Sequence, residues 1–432
     1  MKNKKITSFI KKLANLQFAI SLLFLIGFIV AIGTVIEQDQ PLTFYKENYP
    51  LNQPMFGFLT WQLITGLNLD QVYTAWWFLI LLLLFSCSLL SCTFTTQLPS
   101  IKTFKIWKFY KTPKLFNSLS INQEIKQGLS NSFAYECNRD RYHFFKQKKS
   151  GYAYSGLLGR VSPIVVHFSI VLLLIGSSLG SLSGYTAQQF VPRGEIVHIQ
   201  NLTKFGNLFR LPQEFSFRVN DFWITYTKEL KTEQFYSDLS LLTNEGQEIK
   251  RKTIFVNEPL LFNDIAVYQT DWDIAGLKFE LSNNESFQTP VKKITKGSRK
   301  FWLCSLPIDE TLSKKVSIVL NDLNEQLYVY DSKGILLQQP KLGDYITVGD
   351  QLKFKVTSIL VTTGLQVKSD PGIPTVYLSF FLLMLSIYVS FFTYSQIWVI
   401  ETTKSLVIGG TSNRAVLFFQ QQFRKLVNRA LN

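Results

Sequence analysis

Residues 159–180 read GRVSPIVVHFSIVLLLIGSSLG. From Val161 to Pro192 the chain has no Asp, Glu, Lys or Arg, and the run exceeds the roughly 20 apolar residues that a helix needs to cross a bilayer. It contains His167, one of three histidines in 432 residues, with His143 and His198. Three further stretches lack charge altogether: Leu13–Ile36, Gln71–Ile101 and Pro371–Ile400. Together they predict four transmembrane helices, at 14–36, 74–97, 161–182 and 373–399. The overall 47% hydrophobic content is ordinary; its concentration into four blocks is what sets the class.

The first block follows Lys2, Lys4, Lys5, Lys11 and Lys12, which is how a secretory signal begins. Its apolar core is longer than a signal core, and AIGTVIEQ offers no small-x-small cleavage site, so the expectation is a retained helix.

The net charge of +15 is distributed by segment. Residues 1–13 carry five basic and no acidic residues. The segment 37–73 sets Lys46 against Glu37, Asp39, Glu47 and Asp70; 98–160 sets twelve basic residues against Glu124, Glu136 and Asp140. The segment 183–372 balances twenty-two against twenty-two, and 400–432 sets five against Glu401. Basic flanks stay on the side from which a membrane protein is inserted. Both termini and 98–160 are therefore expected on that cis side, and 37–73 and 183–372 on the trans side. The positive charge sits beside membrane helices, so it gives no support to nucleic-acid binding.

The 190-residue trans segment reads as one β-rich domain. FSFRVNDFWITYT alternates Phe215, Phe217 and Val219 with polar neighbours, the period of a half-buried strand. QLYVYDSKGILLQQ reads as strand, tight turn at Ser332-Lys333-Gly334, strand, and LKFKVTSILVTTGLQV continues in that style. The length suffices for a sandwich or open barrel. The fold class expected is thus an α+β membrane protein: four transmembrane helices and one large β-rich soluble domain. In the 98–160 loop, YHFFKQKKSGYAYSG reads as a small hairpin turning near Lys149-Ser150-Gly151. IKTFKIWKFYKTP interleaves bases with Phe104, Ile106, Trp107, Phe109 and Tyr110, fitting either a segment lying on anionic lipid or a solvated connector.

Of the four cysteines, Cys87 and Cys92 lie in the second run without a CxxC spacing, and Cys137 and Cys304 are isolated. No vicinal dithiol is present, and the expected role is packing. No P-loop, GxGxxG, HExxH or nucleophile elbow occurs. Internal repeats and broken helices of the transporter kind are absent too.

His167 stands seven residues past Arg160, about 10 Å into the bilayer at 1.5 Å per residue. Ionisable residues at such depth face a partner or a cavity. Three readings are open: an axial ligand to haem iron, a proton relay, or an imidazole satisfied by one interhelical hydrogen bond. No second Asp, Glu, Lys, Arg or His lies within the four runs, which disfavours a relay and leaves a second haem ligand to come from elsewhere. His198, in PRGEIVHIQN, is a strand-edge surface histidine or a weaker ligand candidate; His143 has a structural reading. Tyr73, Trp76 and Trp77 form an aromatic belt.

Five stretches resemble the ResB/Ccs-type cytochrome c biogenesis family of system II. These are IGTVIEQ at the end of the first run, with Glu37 where the family has proline, and the third run with its histidine. NEPLLFNDIAVYQTDWD follows, with Asp264 where glycine is common, then SDPGIPTVYLSFFLLMLSIYVSF and VIGGTSNRAVLFF. The resemblance runs from the first helix to the tail. It implies a membrane subunit of the cytochrome c synthase acting with a CcsA/ResC-type partner, which carries a Trp-rich haem motif that this chain lacks. The implied role is haem delivery to, and covalent attachment on, apocytochromes c of the c6/f type, as an accessory or co-catalytic subunit of a haem lyase. His167 would correspond to the family's membrane-embedded histidine and bind haem b transiently. The alternative is a scaffold that stabilises the partner and binds apocytochrome without touching haem. Thirty-seven Phe with abundant Lys, Asn and Ile fit an AT-rich plastid genome. The expected location is the plastid thylakoid membrane, multi-pass, with the β-rich domain lumenal and both termini stromal; the alternative is a cyanobacterial membrane.

Overall fold

The computed structural model describes residues 2–104, 108–126, 130–210, 215–228, 232–296, 299–307, 315–324, 326–348, 352–403 and 405–431. The chain forms two units, residues 1–181 with 372–432, and residues 182–371.

The first unit contains four helices long and apolar enough to cross a membrane: Leu16–Val35, Trp76–Ile101, Leu158–Ser183 and Ile373–Ser390. The first opens on Asn15, whose side chain accepts from Gln17 N–H at 2.9 Å. The first three pack through Leu22, Phe85, Leu89 and Val171. The third and fourth meet through small polar residues: Ser162 Oγ donates to Ser386 O at 2.8 Å and Ser386 Oγ to Ser162 O at 3.0 Å. Small residues with interhelical hydrogen bonds are the usual means of holding helices in lipid, where apolar burial gives no drive. Gly159 lies so close to the end of the fourth helix that a Cβ there would stand 1.9 Å from Phe392 O. Between the first two helices, residues 37–73 form a compact cap around Ile36, Tyr45, Tyr49, Leu59 and Ile64. Burial and the Glu37 carboxylate, to which Tyr49 Oη donates at 2.8 Å, push the Tyr49 phenol up to about 12.

The fourth helix is shorter than the sequence predicts. It ends at Ser390, and Ser395–Glu401 is a strand. The uncharged run to Ile400 hides this boundary because the strand is buried on both faces. Ile397 and Val399 face one core; Trp398 and Ile400 face another. The strand belongs to a soluble body not expected from the sequence. Its five antiparallel strands run in the order Ile121–Lys126, Ser405–Ser412, Ser395–Glu401, Ser150–Ser155, His143–Gln147. Strands from the segments 98–160 and 400–432, read as a loop and a tail, thus interleave in one sheet. Helices Ser130–Arg139 and Val416–Leu431 cover one face, burying Phe133, Cys137, Phe419, Phe423 and Leu426. The hairpin turn falls at Lys148-Lys149, with Lys148 left-handed (φ 52°) and Gln147 opposite Ser150, one position before the expected centre. On the other face Tyr110 stacks on Trp398 at 4.8 Å, and Phe109 meets Tyr152 edge-on. Neither expectation for the basic-aromatic stretch therefore holds at Phe109 and Tyr110, whose rings pack on this sheet. Phe104 to Trp107 lie outside the described side chains.

The second unit is β-rich among the described residues, built around two long antiparallel partners, Ile265–Leu281 and Leu352–Ser369. At about 3.3 Å per residue each spans more than 50 Å, enough to serve two cores. Their outer ends pack with Phe215–Tyr226, Thr232–Thr243 and Glu248–Phe255 around Phe217, Leu239, Leu241, Ile254, Val267 and Leu365. Phe215, Phe217 and Val219 are all buried, as their alternation predicts. Their other ends pack with a five-stranded sheet, Lys292–Lys296 to Leu336–Gln338, around Phe279, Trp302, Cys304, Ile318, Val329 and Phe354. Between the cores lies a buried polar seam: Thr363 Oγ1 donates to Gln269 Oε1 at 2.7 Å, Ser237 Oγ lies 2.8 Å from Thr363 Oγ1, and Gln269 Nε2 donates to Asp271 O at 2.8 Å. The ladder is bulged between Gln269 and Asp271, which turns Thr270 and Asp271 both outward.

All four cysteines are free. Cys137 and Cys304 are fully buried in separate cores, and burial holds both thiols up, Cys304 to about 11. At pH 8 about one Cys304 in a thousand would be thiolate, the reactive form. Alkylation with N-ethylmaleimide at pH 8, read by mass spectrometry, should leave both unmodified in the native protein and label both in denaturant. Native labelling of either would contradict the burial.

Candidate functional site

The second helix does not run regularly. Trp76–Cys92 is α-helical, Thr93–Gln97 winds as a π-turn with Leu98 N–H bonded to Thr93 O, and an α-helix resumes at Leu98. Pro99 supplies a local reason: with no N–H it cannot close the α-helical bond to Thr95 O. The π-turn places Thr93 and Gln97 against His167 of the third helix. Such insertions recur at functional sites.

Thr93 Oγ1 lies 3.0 Å from His167 Nδ1. The same hydroxyl lies 2.9 Å from Leu89 O; when it donates there, its oxygen accepts from Nδ1–H and Nε2 presents its lone pair. Gln97 Nε2 stands 3.4 Å from it, longer than an ordinary hydrogen bond, and Gln97 Oε1 is buried without a partner among the described residues. In that tautomer the imidazole is oriented by an outer hydrogen bond, with its other nitrogen weakly engaged. That is the state in which histidine binds a metal, the Nδ1–H bond fixing the ring and raising ligand basicity. It is also a completed interhelical hydrogen bond in the packing sense.

The other histidines stand apart from this arrangement. His143 is exposed on the soluble sheet, its ring 5.2 Å from Tyr154. His198 is exposed just after the short strand Ile196–Val197 in the β-rich unit. Among the described residues no cluster of three His, Cys, Asp or Glu forms a metal site. Thr93 and Gln97 are what sequence reasoning missed. A threonine and a glutamine in TFTTQ carry no charge; the available signal was a polar cluster interrupting the apolar run just before Pro99.

Fold and site define a membrane protein with four apolar helices, a large β-rich domain and one imidazole held between two of the helices. The chain belongs to the ResB-like family, which it matches over residues 16–358 and 321–424. It is 52% identical over 426 residues to the cytochrome c biogenesis protein Ccs1 of Emiliania huxleyi, covering 99% of this chain and 97% of that one. It is 42% identical to Ccs1 of Trieres chinensis, covering 97% and 99% of the two chains. To the cytochrome c biogenesis protein CcsB of Nostoc it is 42% identical, covering 98% and 92%.

Proposed function

We propose that this chain acts in system II cytochrome c biogenesis as a membrane subunit that delivers haem for covalent attachment to apocytochromes c. The observation that carries the reading is the His167 imidazole, with Nδ1 3.0 Å from the Thr93 hydroxyl and Nε2 directed away from that contact. The relatives' names support the pathway. Haem is here the cargo, b-type until attached. His167 supplies one axial nitrogen, and a histidine of a CcsA/ResC-type partner the other. Attachment adds each apocytochrome thiol across a haem vinyl group: the S–C bond forms at one vinyl carbon and the proton goes to the other, with no net oxidation. This chain's residues hold the haem during that step; the β-rich domain, on the trans side by the charge distribution, guides the apocytochrome. Plastid and cyanobacterial relatives support a thylakoid location; the charge distribution supports a lumenal side for that domain and a stromal side for both termini. His198, exposed in the β-rich unit, is the weaker ligand candidate.

Disrupting the gene should abolish haem-stained c-type cytochromes and leave b-type cytochromes intact; persistence of the c-type proteins would end this reading. The geometry makes a finer prediction. Thr93→Val keeps the volume and removes the acceptor for Nδ1–H. Loss of such a partner weakens metal binding by about 10–100-fold. Haem titration of the purified complex should show that loss, and Thr93→Ser should recover it. The completed hydrogen bond between Thr93 and His167 also favours a second reading, a scaffold that binds partner and apocytochrome but no haem. In that case Thr93→Val would change stability and leave the haem spectrum untouched.

A further inference from the structure

The stretch VIGGTSNRAVLFF, residues 407–419, takes no part in the arrangement around His167. Its path ties the soluble sheet to the end of the fourth helix. Asn413 N–H donates to Tyr394 O at 3.1 Å, and Asn413 Oδ1 accepts from Tyr394 N–H at 3.0 Å. Arg414 Nη1 donates at 2.8 Å to the hydroxyl of Ser390, the last residue of the fourth helix. Ala415 then turns in the left-handed region (φ 48°), and Phe419 N–H closes on Ala415 O at 3.0 Å. The C-terminal helix, Val416–Leu431, therefore starts beside the point where the chain leaves the fourth helix.

The inner face of this helix is conventional: Phe419, Phe423, Leu426, Val427 and Ala430 are buried. Its outer face changes character after one turn. Val416, Leu417 and Phe418 are 41%, 77% and 59% exposed. Beyond them the exposed positions are Gln421, Gln422, Arg424, Lys425 and Asn428, all polar or cationic, and Leu431, the last residue of the helix. Each square ångström of apolar surface left in water costs about 25 cal/mol, and three consecutive exposed apolar residues are avoided on water-facing surfaces unless they serve a function. Here they are confined to the turn bonded to the end of a lipid-facing helix. Phe391, next to Ser390, is 80% exposed, and Tyr388 within that helix is exposed as well. The patch thus continues an apolar surface whose occupant is the bilayer.

We propose that Val416–Phe418 is an interfacial membrane anchor: the first turn of the C-terminal helix enters the headgroup–acyl boundary, and the Arg414 guanidinium lies among lipid phosphates. Amphipathic segments of this kind bury their apolar side about 5–10 Å into that boundary, and the planar guanidinium suits phosphate oxygens. The anchor fixes the soluble body against the membrane surface at the foot of the third and fourth helices. It does not depend on the haem reading.

The test uses the full chain in vesicles of phosphatidylcholine and phosphatidylglycerol, with Cys87→Ala and Cys92→Ala to clear the apolar helices of thiols. Nitroxide labels are placed singly through Leu417→Cys, Phe418→Cys, Gln421→Cys and Leu385→Cys, the last on the exposed side of the fourth helix. Power-saturation spectra compare collisions with oxygen and with a water-soluble nickel chelate. The expected result is loss of nickel collisions at 417 and 418 to the level of 385, with 421 keeping the aqueous level. Nickel collisions at 417 and 418 equal to those at 421 would overturn the proposal. So would protection at 417 and 418 that develops only on adding a partner membrane protein, since the occupant would then be that protein.

Discussion

His167→Ala should strip haem from the complex purified with its partner and leave c-type cytochromes without covalent haem. His167 is the only histidine within the four apolar helices. The groups beside it, a threonine hydroxyl and a glutamine amide, are poor ligands for haem iron. Removing an outer hydrogen bond to a ligating imidazole already costs about 10–100-fold in affinity, so removing the imidazole should cost about 100-fold or more. The measurement is the reduced-minus-oxidised absorption spectrum of the complex, with haem-stained gels for the cytochrome products. Alanine leaves a space shaped for imidazole, so added imidazole should restore part of both signals. His167→Gln keeps hydrogen-bonding capacity without a strong ligand and should behave like alanine. An unchanged spectrum in His167→Ala would rule out the ligand role and favour the scaffold.

Phe423→Ala should unfold the soluble body that residues 108–157 and 393–431 build together. Phe423 is fully buried and shares one core with Phe133, Cys137, Leu406 and Ile408. Truncating such a residue costs about 3–5 kcal/mol, a large part of the about 5–15 kcal/mol that holds an ordinary domain folded. Ending the chain after Glu401 should act more strongly, because Ser405–Ser412 is an interior strand, paired on one side with Ile121–Lys126 and on the other with Ser395–Glu401. Limited trypsin digestion reads the result. Arg139, Arg141, Lys146, Lys148 and Lys149 should become cleavable while residues 182–371 stay resistant. Continued protection of the 139–149 region would mean that the shared core is not what holds this body.

The four helices were legible in the sequence because each is a local property. An uncharged apolar run has a transfer free energy that adds up residue by residue, and no distant partner is needed to make it favourable. The strand at Phe215–Tyr226 and the turn between Tyr330 and Leu336 were legible for the same reason, one through alternation and the other through Gly334 at φ 79°. Family membership was legible through five local stretches spread along the chain.

What only the tertiary structure decided depends on partners far away in the chain. SQIWVIE reads as more helix because it is apolar without a gap. It is a strand because Ser150–Ser155 and Ser405–Ser412 flank it and two cores cover its faces. Phe109 and Tyr110 read as lipid-facing or solvated until Trp398 and Tyr152 stand beneath them. At the candidate site the sequence determined the imidazole and the lack of any other Asp, Glu, Lys, Arg or His within the four uncharged runs. The structure decided which ring nitrogen is held, because Thr93 and Gln97 lie 74 and 70 positions from His167. Neutral hydroxyls and amides carry no mark in a sequence, and they become specific only where folding sets them within hydrogen-bond distance of one another.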